Sequence, residues 1–236
     1  DHIYNACKNV VDYVCEVSGA HSTVVSLPFP LMSETQLAEA LISQLKSETK
    51  IVMLDHLTSA TALVLPLHLI LPELRKRGIE SLIDGAHAPG QIPVNLDLLG
   101  ATYYTGNCHK WLFSPRGAAF LYVDPTRQDK IHPSVISHGS NDNNPRISSF
   151  QRRFKWPGTD DLTSLLSVPR AMKIPEEIGF ADWNGLMARN HKLACDAREM
   201  LCKELKVSKP CPDLMLGAMA AVALPERMNS FIEKLQ

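Results

Sequence analysis

The chain has 236 residues, with 24 lysines and arginines against 25 aspartates and glutamates, a formal net charge of −1. A balance so close to zero argues against a nucleic-acid binder working by phosphate neutralisation and against a polybasic membrane-surface protein. Hydrophobic residues make up 45% of the chain, a globular share. The most apolar run, around Ala62–Leu71, is short and interrupted by Pro66, well under the roughly 20 residues that span a bilayer.

Residues 3–17 carry Ile3, Val10, Val11, Val14 and Val17 at mostly helical spacing, and Ser18-Gly19 supplies a stop. Thr23–Leu27 reads as a short β-branched strand closed by Pro28 and Pro30. Ser33 and Gln36 have capping-box spacing ahead of a helix whose face is Leu37, Ala40, Leu41 and Leu45. Strands are expected at Ile51–Leu54, Glu80–Ile83, Ala101–Thr105 and Ala118–Val123, with a helix over Leu67–Arg77 that ends at Gly78. Short apolar strands alternating with helices imply an α/β fold, a mostly parallel sheet flanked by helices on both faces. Past Pro145 helical patterns dominate, at Leu162–Met172 and Trp183–Leu205, before a break at Pro210–Pro212. Gly217–Leu224 reads as a possible strand of a second, smaller α+β domain, so residues 1–165 form the large domain and 166–236 the start of the small one.

The six cysteines make no CxxC pair and the nine histidines no zinc spacing, which suits free thiols in a reducing compartment and no metal site. No G-x-G-x-x-G fingerprint follows any expected strand, which disfavours a nicotinamide-binding domain.

The chemistry is concentrated between Leu82 and Val123. Asp84 ends an expected strand in the run Ile83-Asp84-Gly85-Ala86-His87-Ala88-Pro89-Gly90, where open α/β sheets place ligand groups. Lys110 follows the next strand in Asn107-Cys108-His109-Lys110-Trp111-Leu112. Taken alone, Asp84 is most simply a helix cap and Lys110 a solvated lysine. His56, in Asp55-His56-Leu57-Thr58-Ser59, is at least as well read as a hydrogen-bonded structural histidine. The basic, aromatic stretch Gln151–Trp156 is better read as a solvated face, or a positive approach to an anionic ligand, than as a nucleic-acid site.

Taken together, the aspartate, the histidine three residues on and the His-Lys pair about two dozen residues later resemble the class V aminotransferases. These are fold type I enzymes dependent on pyridoxal 5′-phosphate, and the superfamily includes cysteine desulfurases, isopenicillin N epimerase and related carbon–sulfur lyases. The Asn107–Leu112 run and the Trp156-Pro157-Gly158-Thr159-Asp160-Asp161 run look closest to the epimerase-like branch.

The resemblance implies that Lys110 forms the internal aldimine and then shuttles protons, and that Asp84 pairs with the pyridine nitrogen. It implies further that His87 bonds the phenolic oxygen, a position where desulfurases commonly carry Gln, and that Asn107 and His109 lie on the phosphate side. Ser59 would lie near the substrate side of the ring, and Tyr4 or His2 would stack on it. Thr159 would reach the phosphate of a neighbouring subunit's cofactor, which implies a homodimer with shared active sites; the family acts on small amino-acid substrates, and the near-neutral charge suits a cytoplasmic enzyme.

The implied reaction is carbon–sulfur cleavage or epimerisation, with transamination as an alternative. A non-catalytic fragment or pseudoenzyme that serves as a binding protein is the reading from another class. Against the family pattern the chain looks truncated at both ends. The early phosphate-binding turn, the substrate-carboxylate arginine and any mobile catalytic cysteine are expected outside it.

Overall fold

The computed structural model describes residues 1–225. In chain order the elements are α1 (Asn5–Ser18), α2 (Glu34–Ser43), β1 (Ile51–Asp55), α3 (Leu67–Lys76), β2 (Glu80–Gly85) and α4 (Leu96–Leu99). They continue with β3 (Tyr103–Asn107), β4 (Ala119–Val123), α5 (Ser149–Phe154), α6 (Thr163–Leu166), α7 (Val168–Ala171), α8 (Ile174–Glu177) and α9 (Trp183–Leu205). The sheet order is β1-β2-β3-β4, with β1, β2 and β3 parallel. β4 runs antiparallel to β3, because the loop between them holds no crossover helix to carry the chain back. The expected mostly parallel sheet is therefore observed. Among the described residues no helix is long and apolar enough to cross a membrane.

The register decides what each face of the sheet carries. Asp55 pairs with Asp84 and Asp84 with Thr105, so these three polar residues form one row across the strand ends. One residue earlier on each strand, Leu54, Ile83 and Tyr104 form the neighbouring row on the opposite face, and they are buried in the core. That core is completed by Leu37, Ala38 and Leu41 of α2, and by Leu67, Ile70, Leu71 and Leu74 of α3. Cys211, Met215 and Leu216 from beyond α9 join the same cluster. The face carrying Met53, Leu82, Asp84, Tyr103 and Thr105 is only half-buried.

Several elements differ from expectation for identifiable reasons. Thr23–Leu27 is not a strand. Side chains take the place of a ladder there: Gln44 accepts from Ser26 N–H at 3.1 Å and donates to Ser26 C=O at 2.9 Å, while Asp1 accepts from Leu27 N–H. Ser33 caps α2 by accepting from Gln36 N–H, but Gln36 returns its bond to Met32 N–H, one residue outside the box geometry. Ala38, not Ala40, completes the buried face of α2. On α1, Val10, Val14 and Val17 are exposed, and Cys7, Val11 and Cys15 turn inward instead.

The Leu162–Met172 helix splits into α6 and α7, because Pro169 lacks the N–H that a continuous helix would use. Gly217–Leu224 forms no strand: Ala218 N–H donates to the side chain of Gln91 at 2.7 Å rather than to a neighbouring strand. The Gln151–Trp156 charges are spent internally. Arg152 donates to the Asn144 and Ile147 carbonyls, Arg153 donates to the Gln128 carbonyl, and Lys155 pairs with Asp142.

Gly85 closes β2 where the Tyr104 ring passes directly over it, and a Cβ built there would drive into that ring. Gly85→Ala is therefore expected to lower stability by about 1–3 kcal/mol through overpacking, measured as a reduced urea midpoint with an unchanged slope.

Candidate active site

A cavity of about 230 Å³ opens over the half-buried face at the carboxyl ends of the strands. Asp55 and Asp84 reach it from β1 and β2, Thr105 and Asn107 from β3, and Lys110 from the loop that follows. Tyr4 and Cys7, at the start of α1, line it from the other side, with Ser59, Ala86 and His87 contributed by turns after the strands. The sheet thus places its ligand groups at the strand ends of an open α/β fold, as expected of such architectures.

Asp84 is held at both oxygens. Ala86 N–H donates to Oδ1 at 2.9 Å and the Cys7 thiol donates to Oδ2 at 3.3 Å. Burial and the bond to Asp84 push the Cys7 thiol up to about 11, so it acts as a donor and not as a nucleophile at neutral pH. Asp55 is 5% exposed, and its Oδ1 has no hydrogen-bond partner. Burial, followed by repulsion from Asp84, pushes its carboxyl from 3.8 to about 7, while Tyr4 N–H, the α-amino group of Asp1 and Lys110 pull it down.

Lys110 Nζ lies 3.3 Å from His87 Nε2, and the Trp111 indole N–H donates to His87 Nδ1 at 3.3 Å. His87 titrates below the ordinary histidine range, first from burial and then from Lys110, with Asp84 opposing. The loop after Lys110 turns back through Phe113 at φ 66°, a left-handed conformation costly for an aromatic residue, and Ser114 N–H closes it onto Cys108 C=O at 3.1 Å.

Of the residues singled out from sequence, the structure brings Tyr4, Ser59, Asp84, His87, Asn107 and Lys110 to this one cavity. His109 is next to Lys110 in sequence but not among the cavity's lining residues: its Nδ1 lies 2.7 Å from the Ala118 carbonyl, which makes that nitrogen the protonated one. His2 is engaged elsewhere, with Nδ1 2.7 Å from Thr61 Oγ1 and its ring edge-on to Phe29. Thr159 sits in an exposed turn away from the cavity lining. His56 is buried and bonded to the Tyr104 hydroxyl at 2.9 Å, and burial drives it down to about 4, a structural histidine on the core side. Sequence reasoning missed Asp55 and Cys7. The signal for Asp55 was its position at the end of a strand parallel to the one ending in Asp84.

Residues 9–210 match the family described as aminotransferase class-V. The chain belongs to the class-V aminotransferase family. Among class-V relatives, it is 30% identical over 236 residues to a protein of Arabidopsis thaliana named as a probable L-cysteine desulfhydrase, chloroplastic, covering 95% of this chain and 48% of the relative. It is 28% identical over 237 residues to isopenicillin N epimerase of Streptomyces clavuligerus, covering 95% and 59%. The fold matches the apo cysteine desulfurase of Thermococcus onnurineus NA1 with a TM-score of 0.70 at 18% identity, over 95% of this chain and 56% of that one. The chain spans about half the length of the curated relatives it matches.

Because folding raises the Asp55 pKa, the native state binds more protons than the unfolded chain between pH 3.8 and about 7. The associated stability is full below 3.8 and is lost as pH rises to about 7. Asp55→Asn stays neutral and should flatten that decline in the ligand-free protein, gaining on the order of 1–3 kcal/mol over the parent at alkaline relative to acidic pH. Urea unfolding at about pH 5 and about pH 8 measures the difference; parallel pH dependences in the two proteins would rule it out.

Proposed function

We propose that the protein carrying this chain binds pyridoxal 5′-phosphate in the strand-end cavity and acts on a sulfur-containing amino acid, cleaving its carbon–sulfur bond. The observation that carries this reading is the convergence of Lys110, Asp84 and His87 on one cavity. The donor set fits the cofactor: a primary amine, a carboxylate for a protonated ring nitrogen, an imidazole and the Asn107 amide, beside an Asp55 oxygen that lacks a partner. When bound, the cofactor supplies an electron-accepting ring that acidifies the α-proton of an amino acid.

The chain's own residues then have distinct tasks. Asp84, oriented by Cys7 and Ala86, holds the ring nitrogen. Lys110 Nζ would take the proton from the α-carbon and pass it to the sulfur that leaves the β-carbon. His87 bonds the ring's oxygen substituent from the side facing Lys110. Tyr4, standing at the opening of α1, covers the ring, and Ser59 lies on the substrate side. Asn107 holds the phosphate side, with His109 supporting that loop through Ala118.

On the same reading residues 1–165 are the cofactor-binding domain and 166–236 begin the smaller one. Thr159, in its exposed turn after Gly158, reaches the cofactor phosphate of a partner subunit in a homodimer. The six unpaired cysteines suit a reducing compartment such as the cytoplasm. A second reading, epimerisation at the α-carbon, is favoured by the similarity to isopenicillin N epimerase.

Borohydride treatment of the cofactor-loaded full-length protein should fix a chromophore to the peptide containing Lys110, and Lys110→Ala should abolish it together with turnover. An unchanged bound-cofactor spectrum in Lys110→Ala would refute the assignment. With L-cysteine as substrate, pyruvate, ammonia and sulfide mark carbon–sulfur cleavage, whereas inversion of the α-centre without release of sulfur marks epimerisation.

A further inference from the structure

His87 stands between two nitrogen groups, and one of them leaves no choice of direction. The Trp111 indole nitrogen is a donor only, so at 3.3 Å it must give its proton to His87 Nδ1. A neutral imidazole carries one proton, which is then on Nε2, the nitrogen 3.3 Å from Lys110 Nζ. We propose that Trp111 is a positioning residue that fixes His87 in the Nε2–H tautomer, making it a one-way hydrogen-bond donor into the cavity. The tautomer rests on the indole contact, whereas its use toward the cofactor's oxygen rests on the function proposed above.

The surroundings hold this polarity. Burial, then Lys110, lower the His87 pKa, and Asp84 is the group that opposes. Its backbone is tied down separately. Gln91, 2% exposed, donates from Nε2 to His87 C=O at 3.0 Å and accepts from Ala218 N–H at 2.7 Å. Trp111 is brought close by Gly90, at φ 84°, where a Cβ would collide with the Trp111 carbonyl. The turn after β2 and the loop after β3 are thereby locked together through backbone and ring at once.

The consequence is chemical. An imidazole with Nδ1–H would instead turn the Nε2 lone pair into the cavity and repel an anionic oxygen. The Nε2–H form does the reverse: it presents a donor to an anionic oxygen in the cavity. Trp111 supplies the fixed direction that an imidazole lacks.

The test begins with the cofactor-free, full-length protein labelled with nitrogen-15 histidine, the His87 signals being assigned by their loss in His87→Gln. The expected spectrum shows Nε2 protonated and Nδ1 bare. A ring protonated at Nδ1 would overturn the proposal, whether or not the protein binds cofactor. Trp111→Phe, which keeps an aromatic ring and removes the N–H, should move the His87 ring toward the Nδ1–H form.

In the loaded protein the same substitution should change the proton affinity of the visible chromophore by about 3- to 10-fold, the scale of one hydrogen bond. It should do so only where residue 87 is histidine. In a His87→Gln background Trp111→Phe should leave the chromophore's titration unmoved. An equal shift in both backgrounds would show that Trp111 acts by packing and not through the imidazole. Loss of the chromophore altogether would count against the cofactor assignment and leave the tautomer result standing.

Discussion

Everything at the candidate site depends on the register of three short parallel strands. Because side chains alternate along a strand, pairing Asp55 with Asp84 and Asp84 with Thr105 sets a polar row on one face. The same pairing puts Leu54, Ile83 and Tyr104 on the other, where α2 and α3 cover them. A slip of one residue would exchange the two rows, turning two carboxylates into the aliphatic core and the core residues toward the cavity. The buried aliphatic cluster therefore specifies the geometry of the reactive groups without touching them. His56, one residue past Asp55, shows how sharp the division is: it points into the core and bonds Tyr104, while Asp55 faces the cavity.

What could be read from the sequence follows the range of the interactions involved. Asp84, His87 and Lys110 were legible because turn residues surround them and because their types and spacing together match a family whose chemistry needs them. The strand and helix order was legible from periodicity, and α9 was bounded from pattern alone. Asp55 and Cys7 were not, because each matters only through contacts across dozens of residues: Asp55 through strand register and Cys7 through a thiol bond to Asp84. His109, expected on the phosphate side from the family pattern, has its Nδ1 engaged by the Ala118 carbonyl, a contact nine residues along the chain that no motif displays. Thr23–Leu27 had strand-like composition and no strand to pair with, so the Gln44 side chain satisfied its backbone instead.

Packing and chemistry are joined at the loop after β3. Phe113 in a left-handed conformation is tolerated because its ring packs on Trp183, 5.6 Å between centroids, and because Ser114 is anchored to Cys108 and to the Ser164 carbonyl. These contacts tie the lysine-bearing loop to α6 and α9. Local strain here is offset by tertiary contacts, and the lysine is delivered to the cavity from a constrained loop rather than a free one.

The cavity's charges are also coupled to one another. Two carboxylates end adjacent strands, and Asp55 is held near 7 because it is buried beside Asp84. A cation delivered to Asp84 would screen that repulsion and lower the Asp55 pKa, so that binding near neutral pH releases a proton and tightens as pH rises. The linkage is reciprocal: ionising Asp55 strengthens the hold on a cation by the same free energy. A carboxyl that looks like a liability in the ligand-free protein, buried and lacking a partner at one oxygen, thus becomes part of the affinity for a positively charged ring. The aliphatic core on the opposite face stabilises the fold enough to hold that carboxyl in place before the ring arrives.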